Sequence, residues 1–331
     1  MMRLSTMARV DSTVRADGSS PVAEQILERW AHDRGSIRFF RSSANFIYRF
    51  REQDRGYFLR FADASERSRD TIDVEMMILD ALAQAGIVIA TPVVSKQGNA
   101  VETIDTEWGT FHAVVFSALE GMQYEFDDLT ESGFRQWGTA LGKLHAAMSN
   151  LADKPARPSW RDHLGFAQAY LPDDSPGMRA EWAELNATIS ELPATQETYG
   201  LIHGDFELDN LVWRDDSIEI LDFDDCSRLW YTADIAFALR DLFEAGGDTG
   251  DPRFQAFVDG YRENHTLDAK SLAALPLFMR YVDLFTYARI ARSMDLGADE
   301  EYPEWLQRLS RKLQDRMTAY RATIESRWTS E

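Results

Sequence analysis

A chain of 331 residues is long enough for one large domain or for two lobes with separate cores. Its 44% hydrophobic and 27% charged residues are ordinary for a globular protein, while a formal charge of −20 makes nucleic acid and anionic membrane surfaces poor partners and favours cationic ones. The single cysteine, Cys226, excludes an intrachain disulfide and suits a reducing cytoplasm, and no run approaches the ~20 apolar residues of a membrane helix.

Residues 1–20 are polar and small and read as a disordered leader without a secretory apolar core. Val22, Ile26, Leu27 and Trp30 then share one helical face, which predicts a helix over 22–32. The period changes at 37–41, 46–51 and 57–61, three short aromatic runs that read as strands. A helix over 70–84 follows, with Ile72, Met76, Leu79 and Ala83 on one stripe, Met76-Met77 in the core and Gly86 as its stop. Further strands are expected at 92–95, 100–104 and 110–116, with Gly98-Asn99 as a hairpin turn. From Leu129 the pattern is helical: Phe134, Trp137, Leu141, Leu144 and Met148 line one face, and residues 151–161 form a proline-containing loop. Helices are expected at 163–170, 177–191, 232–244, 252–264, 271–295 and 303–327, interrupted only by strands at 198–203, 211–214 and 218–221. Patterning therefore gives an α+β chain, a β-rich lobe over 21–118 and a mostly helical lobe over 119–331.

The strongest chemical signal is HGDFELDN at His203–Asn210, followed by ILDFDD at Ile220–Asp225. Asp205 and Asn210 are separated by four residues, and Asp222 comes twelve positions after Asn210, at the end of an apolar strand. Phosphoryl transfer needs a carboxylate to orient the attacking hydroxyl and hard oxygen ligands to hold Mg²⁺ against a triphosphate. A loop carrying Asp205 and Asn210, with a hairpin that returns Asp222, supplies them in the order of the protein-kinase template.

On these motifs the sequence resembles the aminoglycoside phosphotransferase family, which includes choline, homoserine and stress-response kinases. Leu59-Arg60, Glu75, the strand into Phe116, LGKLHAA at Leu141–Ala147 and DFDDC through WY to DIA at Asp222–Ala236 all fall where that family has counterparts. The resemblance implies a two-lobed protein-kinase-like fold, with a nucleotide-binding lobe over 21–118 and a catalytic and substrate-binding lobe over 119–331. It makes Asp205 the catalytic base, Asn210 and Asp222 the Mg²⁺ ligands, Glu75 the helix glutamate and Arg60 its partner. ATP is the expected nucleotide, its adenine edge against the backbone of Phe116, Ser117, Ala118 and Leu119.

The sequence departs from the pattern in three places. Arg60 stands where kinases usually have Lys; it keeps the charge but is planar and bidentate. The loop Arg41–Asn45 has no glycine, so Ser42, Ser43 and Asn45 are the expected phosphate donors. Gly204 replaces the usual arginine, and about ten residues from Asp222 to a helix near Thr232 leave no room for a long activation segment. A Walker-type G-x-x-x-x-G-K-[ST] is absent.

Other polar residues have ordinary readings beside functional ones. His203 and His145 read as bracing histidines, Asp234 as an anchor of the catalytic loop, and Cys226 as a small buried filler. Asp224, Asp225 and Glu207 are candidate substrate contacts. A hydroxyl-bearing small molecule, amine-bearing by the acidic charge, is the expected acceptor. A protein Ser/Thr kinase of the stress-response type, or a nucleotide-binding regulator with little turnover, remain the alternatives. Oligomeric state leaves no mark in the sequence.

Overall fold

The computed structural model describes residues 1–151, 155–215, 217–297 and 301–328. They form two compact units. The first comprises Met1–Met76, Ala90–Ala118 and Tyr287–Tyr320; the second comprises Met77–Ile89, Leu119–Thr286 and Arg321–Glu331.

The first unit begins with α1 (Leu4–Asp11) and α2 (Pro21–Leu27). Its sheet contains β1 (Arg38–Ser42), β2 (Phe46–Glu52), β3 (Arg55–Asp63), β4 (Pro92–Val93), β5 (Glu102–Thr106) and β6 (Gly109–Ser117). The strand order is β1-β2-β3-β6-β4, all antiparallel, with β5 also paired to β6. β2 shows the cause of the strand: Phe46, Tyr48 and Phe50 point inward, while Arg49 and Arg51 point out. Phe46 and Tyr48 stack on Phe61 of β3 at 5.2 and 5.6 Å between centroids. Gln53 and Asp54, both at positive φ, make the two-residue turn that links these strands.

Two expectations fail here. Residues 1–20 are not a disordered leader. Leu4, Met7 and Val10 of α1 are buried, Arg9 pairs with Asp63, and Ser5 N–H donates to Asp295 at 2.9 Å. An amphipathic face only eight residues long is easily missed among polar neighbours. Gly98-Asn99 lies in a turn, with Gly98 N–H donating to Ser95 O, but it does not close a hairpin. The flanking β4 and β5 both pair with β6, at Val115–Phe116 and at Gly109–Ala113.

The helix α3 (Arg69–Gln84) buries Ile72, Met76, Leu79 and Leu82, whereas Met77 is 58% exposed and not core. Gly86, at φ +82°, ends it.

The second unit is mostly helical: α4 (Glu131–Ser149), α5 (Trp160–Gln168), α6 (Pro176–Ser190), α7 (Tyr231–Ala238), α8 (Arg240–Glu244), α9 (Pro252–Arg262), α10 (Ala269–Ala273), and parts of α11 (Leu275–Ser293) and α12 (Glu304–Ser326). Two small antiparallel pairs interrupt them: β7 (Tyr199–Ile202) with β10 (Ser227–Trp230), and β8 (Leu211–Arg214) with β9 (Ser217–Ile220). β10 is a strand that the sequence pattern does not announce. The expected single helix over 271–295 is two, divided just before Pro276, whose ring cannot sit in a helix interior. α4 and α9 touch at their backbones. A Cβ on Gly138 would lie 1.9 Å from Phe257 O, and one on Gly142 2.4 Å from Tyr261 O. That contact fixes α4, the helix that carries His145. Among the described residues no helix is long and apolar enough to cross a membrane.

Candidate active site

Each motif residue is placed by a local element. β7 leads into the loop His203–Glu207, a single 3-10 turn spans Leu208–Asn210, and β8 follows. Leu211 pairs with Ile220 across the β8–β9 hairpin, and Leu221 N–H donates to Asn210 O at 2.9 Å. The ladder thus delivers Asp222 one residue beyond the position opposite Asn210. Asn210 Nδ2 donates to Asp205 O at 2.9 Å and to Asp205 Oδ2 at 2.8 Å. Asp205, Asn210 and Leu221-Asp222 are therefore tied by three hydrogen bonds. Asn210 is 2% exposed, and its Oδ1 is buried with no hydrogen-bond partner. Asp222 has φ +56°, left-handed backbone that a non-glycine residue adopts at a cost. Such strain clusters at functional positions.

Beneath the loop is a buried polar scaffold. Asp234, in α7, accepts from His203 N–H and Gly204 N–H, each at 2.8 Å, and from His145 Nε2 at 2.9 Å. His145 Nδ1 meets Tyr261 OH at 2.8 Å. Burial would raise the Asp234 carboxyl, but His145 and the loop amide outweigh it and hold it below its ordinary value. His203 Nδ1 accepts from Asp205 N–H at 3.3 Å, which leaves Nε2–H to donate to Leu221 O at 2.9 Å. One imidazole so links the Asp205 loop to the strand end before Asp222.

Two supports leave no mark in the motif. Trp137 Nε1–H donates to Phe206 O at 3.2 Å. Arg157 is 7% exposed, donates to Cys226 O at 2.6 Å, and also reaches the Phe223 and Asp224 carbonyls. It clamps the turn that follows Asp222. Arg157 carries no sequence signal, because it lies in a loop about 65 residues upstream and acts on backbone groups, which any residue carries. Cys226 is buried.

The candidate substrate carboxylates differ in placement. Asp224 is 4% exposed, Asp225 is half-buried, and Glu207 lies 2.6 Å from Arg240. Burial and the neighbouring Asp205 push the Glu207 carboxyl up to about 8, against the pull of Arg240. Glu207 is thus engaged within the protein.

In the first unit, Arg60 of β3 donates Nη1 to Glu75 Oε1 at 2.9 Å and Nη2 to Glu75 Oε2 at 2.6 Å. This bidentate pair is buried, at 8% and 1% side-chain exposure, and the guanidinium lies 5.0 Å from the Phe116 ring centroid. Removing one partner of a buried ion pair costs about 3–5 kcal/mol. Glu75→Ala is expected to lower the unfolding free energy from urea titration by that amount; an unchanged value would show the pair to be dispensable.

The glycine-free loop holds its groups differently from expectation. Ser42 Oγ donates to Asp11 Oδ2 at 2.9 Å, and the Ser43 carbonyl accepts from Met2 N–H at 3.0 Å. Ser43 is exposed and Asn45 is buried. Of the expected adenine edge, Ser117 N–H donates to Thr91 O and Ala118 N–H to Gly56 O, so neither amide can serve a base without leaving the sheet. Phe116 lies within β6, paired with Phe58 and Pro92.

A strand-borne Arg–Glu pair in a β-rich unit, and an Asp-x4-Asn loop followed by a strand-end Asp in a helical one, define a phosphotransferase of the protein-kinase-like type. A family model described as the phosphotransferase enzyme family matches residues 36–267. The chain belongs to that family, and it is an enzyme, a kinase with a hydroxyl acceptor. It is 27% identical to amicoumacin kinase of Bacillus subtilis (strain 168), over 88% of this chain and 92% of that one. It is 29% identical to homoserine kinase of Rhodopseudomonas palustris (strain TIE-1), over 68% and 69%. The solved structure of amicoumacin kinase hAmiN in complex with AMP-PNP, Ca²⁺ and Ami has the same fold, at a TM-score of 0.80 and 23% identity, covering 98% of this chain and 96% of that one.

Proposed function

We propose that this enzyme moves the γ-phosphate of ATP, with Mg²⁺, to a hydroxyl of a small, amine-bearing molecule. The observation that carries the reading is Asn210. Its amide nitrogen is committed to Asp205, while its oxygen is buried and unpartnered. A buried acceptor left alone costs about 1–3 kcal/mol, and a hard cation would satisfy it. Among the described residues no group of three or more His, Cys, Asp or Glu could hold a metal alone. That suits Mg²⁺, which takes one or two protein ligands and completes its shell with phosphate oxygens and water. Asn210 Oδ1 and Asp222 would hold the ion, which when bound neutralises charge on the transferring phosphoryl group.

Asp205 would orient the acceptor hydroxyl and take its proton, its carboxylate aimed by Asn210 Nδ2. Arg60, steadied by Glu75, would meet nucleotide phosphate, and the Ser117 carbonyl and Leu119 amide would face adenine. The named relatives act on amicoumacin and homoserine, and the solved relative holds a nucleotide analogue and a divalent ion. Homoserine carries both an amine and a hydroxyl. A small acceptor is also favoured by the short path after Asp222. Only Phe223–Trp230 precede α7, and Ser227–Trp230 are a strand, so no extended segment is present to seat a peptide.

The test is ADP release from ATP against a panel of amino alcohols, hydroxyamino acids and aminoglycosides. At least tenfold stimulation by one member is expected, lost with EDTA and restored by Mg²⁺. Labelled phosphate transferred to protein, with no stimulation by the panel, would favour the protein-kinase alternative.

A further inference from the structure

The segment ahead of the sheet grips one particular loop, residues 41–45, where β1 turns into β2. Ser42 Oγ donates to Asp11 Oδ2 at 2.9 Å, and Met2 N–H donates to the Ser43 carbonyl at 3.0 Å. Asp11 is the last residue of α1 and Met2 lies two before its first, so the two ends of one helix hold neighbouring loop residues. A third tie, Phe39 N–H to Gly18 O at 2.6 Å, fixes β1 to the stretch after α1. The helix is itself anchored. Leu4 and Val10 are fully buried, Arg9 pairs with Asp63, and Thr6 Oγ1 and Arg3 N–H both donate to Glu66 Oε1, at 3.1 and 3.2 Å. Arg292 holds the other Glu66 oxygen at 2.6 Å. All of these groups belong to the first unit.

Strand register places this loop beside Arg60. Arg41 is opposite Ile47, and Ile47 is opposite Arg60. Directly opposed residues of antiparallel strands share a face, so Arg41 and Arg60 lie on one face of the sheet, about 10 Å apart across two strand spacings. Kinase loops at this place use glycine to fold over phosphate, and this one has none. Stability does not explain Asp11. Its Oδ1 is buried with no hydrogen-bond partner, and burial pushes the carboxyl up to about 6 against the pull of Ser42. A carboxylate kept at such a site destabilises the fold near neutral pH. What it supplies is a fixed acceptor for Ser42. We infer that Asp11 is a positioning residue: through Ser42 it holds the glycine-free loop in the conformation that receives nucleotide phosphate, which makes residues 2–11 part of the nucleotide site. The inference rests on the phosphotransferase reading above and adds residues to it. A loop fixed in advance loses less freedom when phosphate binds, and the gain appears as affinity.

The experiment titrates AMP-PNP with Mg²⁺ calorimetrically into the full chain as wild type, Asp11→Ala, Asp11→Asn, Ser42→Ala and the double alanine variant. Adenosine is the phosphate-free control, and hydrogen exchange is followed over residues 39–47 without nucleotide. Asp11→Ala and Ser42→Ala are each expected to weaken AMP-PNP at least fivefold and to leave adenosine unchanged. The double variant is expected to be no weaker than either single one, because all three remove the same contact. Asp11→Asn keeps an oxygen acceptor and is expected to stay within twofold of wild type. Exchange over 39–47 is expected to rise at least tenfold in both alanine variants and not in Asp11→Asn. Ser42→Ala removes one half-buried hydroxyl and keeps the fold, so it carries the test if Asp11→Ala unfolds. Additive losses in the double variant, or unchanged exchange in both alanine variants, would overturn the inference. Raised exchange with wild-type AMP-PNP affinity in every variant would also overturn it, and would leave the phosphotransferase reading standing. Raised exchange with no AMP-PNP bound even by the wild type would overturn the nucleotide reading and leave Asp11 as the holder of the loop.

Discussion

Asp205→Asn is expected to lower kcat by about 10²–10⁴-fold, the range a positioned general base contributes, while the KM for ATP changes little. The substitution is nearly isosteric, and its amide oxygen can still accept from Asn210 Nδ2, the contact now made at 2.8 Å. What disappears is the negative charge that, in the proposed role, draws the proton from an attacking hydroxyl. Phosphoryl transfer asks little covalent chemistry of a protein, so placement and charge carry the rate, and the proposal assigns both to this carboxylate. Single-turnover kinetics with bound ATP separate the effect from nucleotide affinity. Near-wild-type turnover in the variant would remove Asp205 from the chemistry and transfer the role to another carboxylate.

Asp234→Ala is expected to cost both stability and rate without touching a reactant. The carboxylate is fully buried and accepts from His203 N–H, Gly204 N–H and His145 Nε2. Its removal strands buried donors at about 1–3 kcal/mol each, so a loss of roughly 3–5 kcal/mol is expected in chemical denaturation. The loop that carries Asp205 loosens with it, and kcat falls in the fraction that stays folded. The pH dependence has a definite sign. The Asp234 carboxyl is held below its ordinary value of 3.8. A depressed carboxyl stabilises the fold fully above its unfolded value, and that stability drains away as pH falls through the folded one. Wild type and Asp234→Asn should therefore converge in stability as the solution is taken below about pH 4. A gap that stays constant down to pH 2 would contradict an ionised Asp234.

How legible these features are in the sequence depends on how local their causes are. Asp205, Asn210 and Leu221-Asp222 are joined by a loop and one hairpin, so residue spacing alone brings them together. Arg60 and Glu75 lie on a strand and the next helix, and their pairing needs only that helix to return along the sheet. Alternating aromatics mark β2, because one buried face imposes a period of two, whereas β3 shows itself by an aromatic run that is buried throughout its second half. The rest depends on distant chain. Arg157 acts through carbonyls about 65 residues away. Ser42 looks like a phosphate donor until α1 presents Asp11 to it. The Ser117 and Ala118 amides look available until the sheet registers consume them. Tyr287–Tyr320 belongs with the first unit although it follows the second in sequence, which a single cut near residue 118 does not foresee.

The left-handed backbone at position 222 has a consequence for how this protein ages under selection. Glycine enters that conformation freely, whereas a residue with a Cβ does so against a penalty of about 1–2 kcal/mol, somewhat eased for aspartate. A lineage chosen only for heat tolerance would drift toward glycine there and, on the proposed metal-holding role of Asp222, emerge sturdier but inert. Aspartate at that bend is thus a small, standing instability, and on that same proposal its persistence separates a working copy of this chain from a well-folded relic.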